Sequence, residues 1–251
     1  MSVAKKGRSI SPILLIVCFA SLVAPVASAL EAIDFLHEFE RSLEQIYDYQ
    51  VRVVTWAREA GEVEKTIMDL YYSRPGTIRA DVISSSRTGD EGSVALLDEE
   101  GRVTVRTGSR FFPITVRYAK DHPRVTSIRS RRIDEGMMSV VLSELSGAIA
   151  SNTATVHRTP EGYEIVKAGD GGRSRETLHV DNNFRLRSHE TREKGRVVEF
   201  VTWHHYASNL GLPEEMFDVK FRKLEVERLP IATLARIAVG SPERGTLSRF
   251  E

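Results

Sequence analysis

Tyr47-Asp48-Tyr49-Gln50-Val51-Arg52-Val53-Val54-Thr55-Trp56-Ala57 (YDYQVRVVTWA) decides the fold. Tyr47, Tyr49, Val51, Val53 and Thr55 fall on one side of an extended chain, and Asp48, Gln50 and Arg52 on the other. A period of two is the mark of a strand with one face turned to a core. Ala60-Gly61-Glu62 reads as a turn. Residues 64–72 then resume the period, with Met68, Leu70 and Tyr72 against Lys65 and Asp69. Ser73-Arg74-Pro75-Gly76 turns the chain again, and Ile78, Ala80 and Val82 alternate with Arg79 and Asp81. Short strands are expected at 93–97, 102–106 and 111–116, joined by Gly- and Asp-bearing connectors. Strands at this spacing form an antiparallel meander.

Outside the meander the period changes. Ile33, Leu36, Phe39, Leu43 and Ile46 recur at helical spacing, which predicts a helix over 31–46. Ile133, Met137, Val141, Leu145 and Ile149 form an i+4 stripe in a second helix over 133–150, widened by Met138, Val140 and Leu142. Strands are expected again at 154–157, 163–167, 176–180, 185–190 and 197–206, with a last short one at 216–221. Residues 231–239 suit a short helix inside a partly disordered tail, 229–251. The organisation is one domain over 30–228, α+β and mostly antiparallel β.

The first 29 residues stand apart. Lys5, Lys6 and Arg8 precede an apolar run over 10–23, and Ala27-Ser28-Ala29 supplies small residues at a cleavage site. That order is a secretory signal peptide, and it predicts a periplasmic protein. The run is short of the roughly 20 residues a spanning helix needs. Cys18 raises a lipoprotein reading, but bulky Val17 stands where a lipobox needs a small residue. Cleavage removes three basic residues and no acidic one, leaving 32 Lys+Arg against 35 Asp+Glu. A slightly acidic chain argues against a nucleic-acid partner, which needs a strong basic excess. Cys18 is the sole cysteine, so the mature chain has no disulfide, thiol nucleophile or cysteine-ligated metal.

No hydrolase, zinc-protease, phosphate-loop or redox-cysteine motif occurs, so no catalytic residues, metal ligands or cofactors are expected. His204 and His205 are strand neighbours and should point to opposite faces. His179 and His189 lie on successive strands where a cross-strand pair could form, and a structural role fits them better than metal binding. Arg129, Arg131 and Arg132, with Arg117, Lys120 and Arg124, make a basic stretch before the second helix. Ion pairs in a solvated loop explain it more simply than a phosphate-bearing headgroup. The apolar face itself is either a filled core or the wall of a cavity, and periodicity does not separate the two.

Three motifs carry a family resemblance. Tyr72-Ser73-Arg74-Pro75-Gly76-Thr77-Ile78-Arg79 resembles a strand ending in R-P-G followed by an arginine-bearing strand. Residues 94–103, VALLDEEGRV, are similar to the next hairpin, and 212–219, LPEEMFDV, to a closing L-P-x-x-x-F segment. Residues 129–137 are similar to an uncharacterised branch of exported proteins with the same layout. Together these resemble the bacterial lipoprotein-carrier superfamily, the LolA/LolB-like proteins. The resemblance implies a strongly curved, incomplete β-barrel with helices packed in its concave face. It also implies a non-catalytic binding or carrier role for a lipid, a lipoprotein acyl chain or another apolar ligand. Val51, Val53, Met68, Leu70, Tyr72, Ile78, Val82, Met137 and Val141 are the candidate lining residues. Other envelope proteins and transient membrane contact are compatible partners. The alternatives are an envelope sensor or interaction module on the same fold and, with less support, a lipid esterase.

Overall fold

The computed structural model describes residues 31–109 and 111–221. The signal peptide, Cys18 and the 229–251 tail lie outside the described residues. Helix α1 spans 31–44. It leads into β1 (Asp48–Glu59), β2 (Glu62–Ser73), β3 (Thr77–Ser85), β4 (Val94–Leu97), β5 (Arg102–Arg106) and β6 (Thr115–Ala119). Helix α2 (Met138–Ala150) separates these from β7 (Ala154–Thr159), β8 (Gly162–Gly169), β9 (Ser174–Asp181), β10 (Leu186–Glu193) and β11 (Arg196–Ser208).

All eleven strands form one antiparallel sheet in the order β6-β5-β4-β3-β2-β1-β11-β10-β9-β8-β7. The two meanders join where β1 pairs with β11, Val53 opposite Trp203 and Thr55 opposite Val201. Edges remain at β6 and β7, so the sheet does not close. Laid flat, eleven strands would spread over about 50 Å at their usual spacing. Yet Val103 of β5, Ile165 of β8 and Val156 of β7 belong to one buried cluster with Phe35, Phe39 and Leu145 of the helices. Only strong curvature around α1 and α2 brings them together, which is the open half-barrel expected.

Alternation works as the sequence implied on the concave side: Tyr49, Val51, Val53, Leu70, Ile78 and Ala80 are buried there. Four expectations need correction. The sixth strand starts at Thr115 rather than 111, because β5 ends at Arg106, which pairs with Thr115. Pro113, with no N–H, also cannot join a ladder, so Phe111 and Phe112 fall outside the sheet. The second helix starts at Met138 rather than 133. Ile133–Gly136 form a single 3-10 turn, and Met137 is extended at φ −76°, ψ 136°. Asp134, tied to Lys120 and Arg132 at 3.0 Å each, holds that turn to the preceding loop. The expected strand at 216–221 is instead a 3-10 turn, Glu214–Phe217, and an irregular run. Its carbonyls serve a buried arginine rather than a neighbouring strand: Arg79 donates to Met216 O at 2.7 Å, Asp218 O at 3.2 Å and Phe221 O at 2.7 Å. Finally, Arg79 and Asp81, expected on a polar outer face, are buried beneath that run.

Asp48 starts the run on its path. Its carboxylate accepts the backbone N–H groups of Leu210, Gly211 and Leu212 at 2.6, 2.9 and 3.0 Å. Met216 then packs on Tyr71, with Leu212, Phe217 and Phe221 around them, as a small second core on the convex side.

Candidate functional site

The loop between β6 and α2 lies over the concave face of the half-barrel as a strap, fastened to the central strands. On the β2–β3 side, Ile128 N–H donates to Glu64 Oε2 at 2.9 Å, and Arg87 Nη1 donates to Thr126 O at 2.8 Å. Across β1, on the β10–β11 side, Arg129 pairs with Glu193, and Arg131 meets Glu199 at 2.7 Å; Glu64 and Glu199 both stand opposite Ala57. The basic stretch is thus largely a row of fasteners. Burial raises the Glu64 carboxyl above its ordinary value, a shift that the Ile128 N–H and Arg87 only partly oppose.

Beneath the strap lies a cavity of about 170 Å³. Its lining includes Val53, Met68, Leu70, Val82, Val103, Val105, Val201 and Trp203, together with the polar or charged Thr55, Glu64, Arg87, Asp90, Ser93, Arg124 and Arg131. A mostly apolar lining with some polar groups is the usual form of a small-molecule site. Arg131 and Trp203 separate it from a second, more polar cavity of about 260 Å³, lined also by Val141, Leu145, Glu135, Lys167, Glu176 and His189. Glu176 accepts from Lys167 at 2.8 Å and lies 3.4 Å from His189 Nε2. The His189 interaction is the largest influence holding the Glu176 carboxyl down, to about 2, with Lys167 assisting.

The nine candidate lining residues divide among four places. Val53, Met68, Leu70 and Val82 line the apolar cavity, and Val141 the polar one. Tyr72 and Met137 border a third space of about 70 Å³ at the α1 end. Val51 and Ile78 are packed core, 2% and 0% exposed. The concave face is therefore part filled and part hollow. Val201, Trp203 and Arg131 escaped the sequence reading. The first two continue the same period of two on β11, a signal that was available, whereas Arg131 comes from a loop with no periodicity.

The histidines do not assemble a site. In the β9–β10 register His179 stands opposite Ser188 and His189 opposite Leu178, so the cross-strand pair does not form. At His205 the backbone takes φ 54° beside the β1–β11 register shift, and the His204 and His205 rings lie 6.2 Å apart rather than on opposite faces. Among the described residues no three His, Cys, Asp or Glu side chains are grouped to hold a metal ion.

No family model matches the sequence, and neither does any curated protein. Similarity is found among solved structures. The chain is similar to a DUF1329 family protein from Desulfovibrio piger, with 10% identity over 76% of this chain and 97% of the other, at a TM-score of 0.39. It is similar to a LolA superfamily protein from Nitrosomonas europaea, with 11% identity over 74% and 97%, at 0.36. It is also similar to MucB, solved in complex with MucA(peri), with 15% identity over 74% and 59%, at 0.37.

Proposed function

We propose that the protein is an exported, non-catalytic carrier that holds an apolar ligand, such as a lipid or lipoprotein acyl chain, in the periplasm. The observation that carries this is the apolar cavity under the strap, walled by Val53, Met68, Leu70, Val82, Val201 and Trp203. A space of about 150 Å³ takes up a benzene-sized group, so about 170 Å³ accommodates one end of an acyl chain with the strap in place. A longer chain needs the strap or α2 to move outward. Uptake is driven by burial of methylene groups, at about 0.8 kcal/mol each. Met68 suits a variable occupant because its thioether side chain is flexible and polarizable.

The test is displacement of a fluorescent fatty acid from the purified protein, with mass spectrometry of any lipid that copurifies. Saturable uptake, competed by unlabelled fatty acid, supports the reading. No copurifying lipid together with no probe uptake would overturn it.

A further inference from the structure

The β5–β6 connection carries the most exposed large apolar side chains among the described residues. Phe111 and Phe112 are 87% and 81% exposed, and Ile114 is 60% exposed. Three such side chains within four residues are not scattered surface apolarity; contiguous exposed patches mark interaction sites. They stand on a projecting connection rather than in a groove.

The arm they form is rooted beside the cavity. Gly108 N–H donates to the Oγ of Ser93, a residue of the cavity lining, at 3.2 Å. A Cβ at Gly108 would collide with the backbone of Glu91 and Gly92, so this close approach requires glycine. An apolar strip also joins the two. Val105, a cavity wall residue, pairs directly with Val116 of β6, and Ile114 stands just before that strand. Directly opposed residues of an antiparallel pair share a face, so the concave apolar surface continues out of the cavity toward the arm.

Along the chain the charge beside the arm is mostly positive. Between 106 and 124 the sequence has five Lys and Arg against the single acid Asp121, and although Lys120 is held by Asp134, Arg106, Arg117 and Arg124 make no ion pair with an acid among the described residues. Exposed aromatic and aliphatic side chains flanked by cations are the composition of a segment that lies in the interface of an anionic membrane.

We propose that residues 107–109 and 111–117 belong to a docking arm for an anionic lipid bilayer. Phe111, Phe112 and Ile114 enter the boundary between headgroups and acyl chains, and Arg106, Arg117 and Arg124 face the lipid phosphates. The arm then sets the cavity beside the membrane surface. This goes beyond the carrier reading and does not depend on it, since docking requires no occupant in the cavity.

The test is flotation of the purified protein with phosphatidylcholine vesicles, with and without phosphatidylglycerol, at low and high salt. Wild type is expected to float with the anionic vesicles, and salt to weaken that binding. F111S/F112S is expected to bind roughly tenfold more weakly. Both side chains are exposed, so the double variant should keep its unfolding midpoint and its uptake of fluorescent fatty acid in the absence of vesicles. A separate Phe112→Trp variant should be quenched by brominated lipid. Failure of wild type to bind anionic vesicles at low salt, or flotation of F111S/F112S equal to wild type, overturns the proposal. So does an arm found to bind an envelope protein while ignoring vesicles. Fatty-acid uptake without vesicles tests the carrier reading separately.

Discussion

Arg131 and Glu199 close the strap onto β11 through two parallel hydrogen bonds, Nε to Oε1 at 3.0 Å and Nη2 to Oε2 at 2.7 Å. The Glu199 side chain is 5% exposed, and Arg131 Nη2 also meets His189 Nδ1 at 2.9 Å. Arginine suits the position because its planar fork matches a carboxylate at two points.

Removing one partner should cost more than removing both. Arg131→Met leaves the Glu199 carboxylate buried without its cation, and breaking such a pair costs about 3 kcal/mol. Arg131→Met with Glu199→Leu should recover much of that loss, because no buried charge is stranded. Urea unfolding of the two single variants and the double measures the coupling. Additive losses would mean that the pair does not fasten the strap.

Arg79 should anchor the run that follows β11. It is 1% exposed, and it bonds to Asp81 as well as to the three carbonyls of that run. Arg79→Lys keeps the charge but cannot reach all of these acceptors. The expected outcome is a stability loss of about 1–3 kcal/mol, from buried carbonyls left without a donor, and protease cleavage within 212–221 under conditions where wild type resists. A variant as resistant as wild type would show that Tyr71, Met216 and Phe221 hold the run by packing alone.

Much of this architecture was legible because the residues involved obey a period. Tyr49, Val51, Val53, Leu70 and Ile78 announce a buried face, and turns rich in Gly and Asp separate the strands. The strap was not legible. Arg87, Arg129 and Arg131 act through carbonyls and carboxylates far away in the chain, and local sequence does not encode those distances. Arg79 misled for a related reason. It alternates correctly onto the convex side, but periodicity does not reveal that a distant segment covers that side. The same limit left cavity and core unresolved, since Val53 and Val51 read alike while one borders a space and the other does not.

Acid should weaken the wall that carries Glu176. Its carboxyl is held down to about 2, first by His189 and then by Lys167. A pKa lower in the folded than in the unfolded state stabilises the fold above the unfolded value, about 4.3. That contribution is lost as pH falls from about 4.3 toward 2. The side chain is 38% exposed, so solvent screening keeps the effect small. Glu176→Gln should flatten this part of the stability–pH curve. Chemical denaturation at a series of pH values checks it, and an unchanged acid slope in the variant would count against the assignment.

Filling the cavity should separate ligand binding from folding. Ala80 and Ala95 face each other across β3 and β4 in the cavity wall. Ala95→Leu places three more carbons into a space of about 170 Å³. With room available, such a change holds stability level or raises it by about 1 kcal/mol. Fatty-acid probe uptake should fall at least about tenfold, a loss of about 1.4 kcal/mol. Leu70→Ala makes the opposite change. It removes a buried side chain from the same wall, costs about 2–5 kcal/mol and enlarges the space. Paired measurements of unfolding and probe affinity check both. A loss of 1–3 kcal/mol in Ala95→Leu, the range for an overpacked core, would mean that the wall closes around the added carbons and that no free space exists for a ligand there.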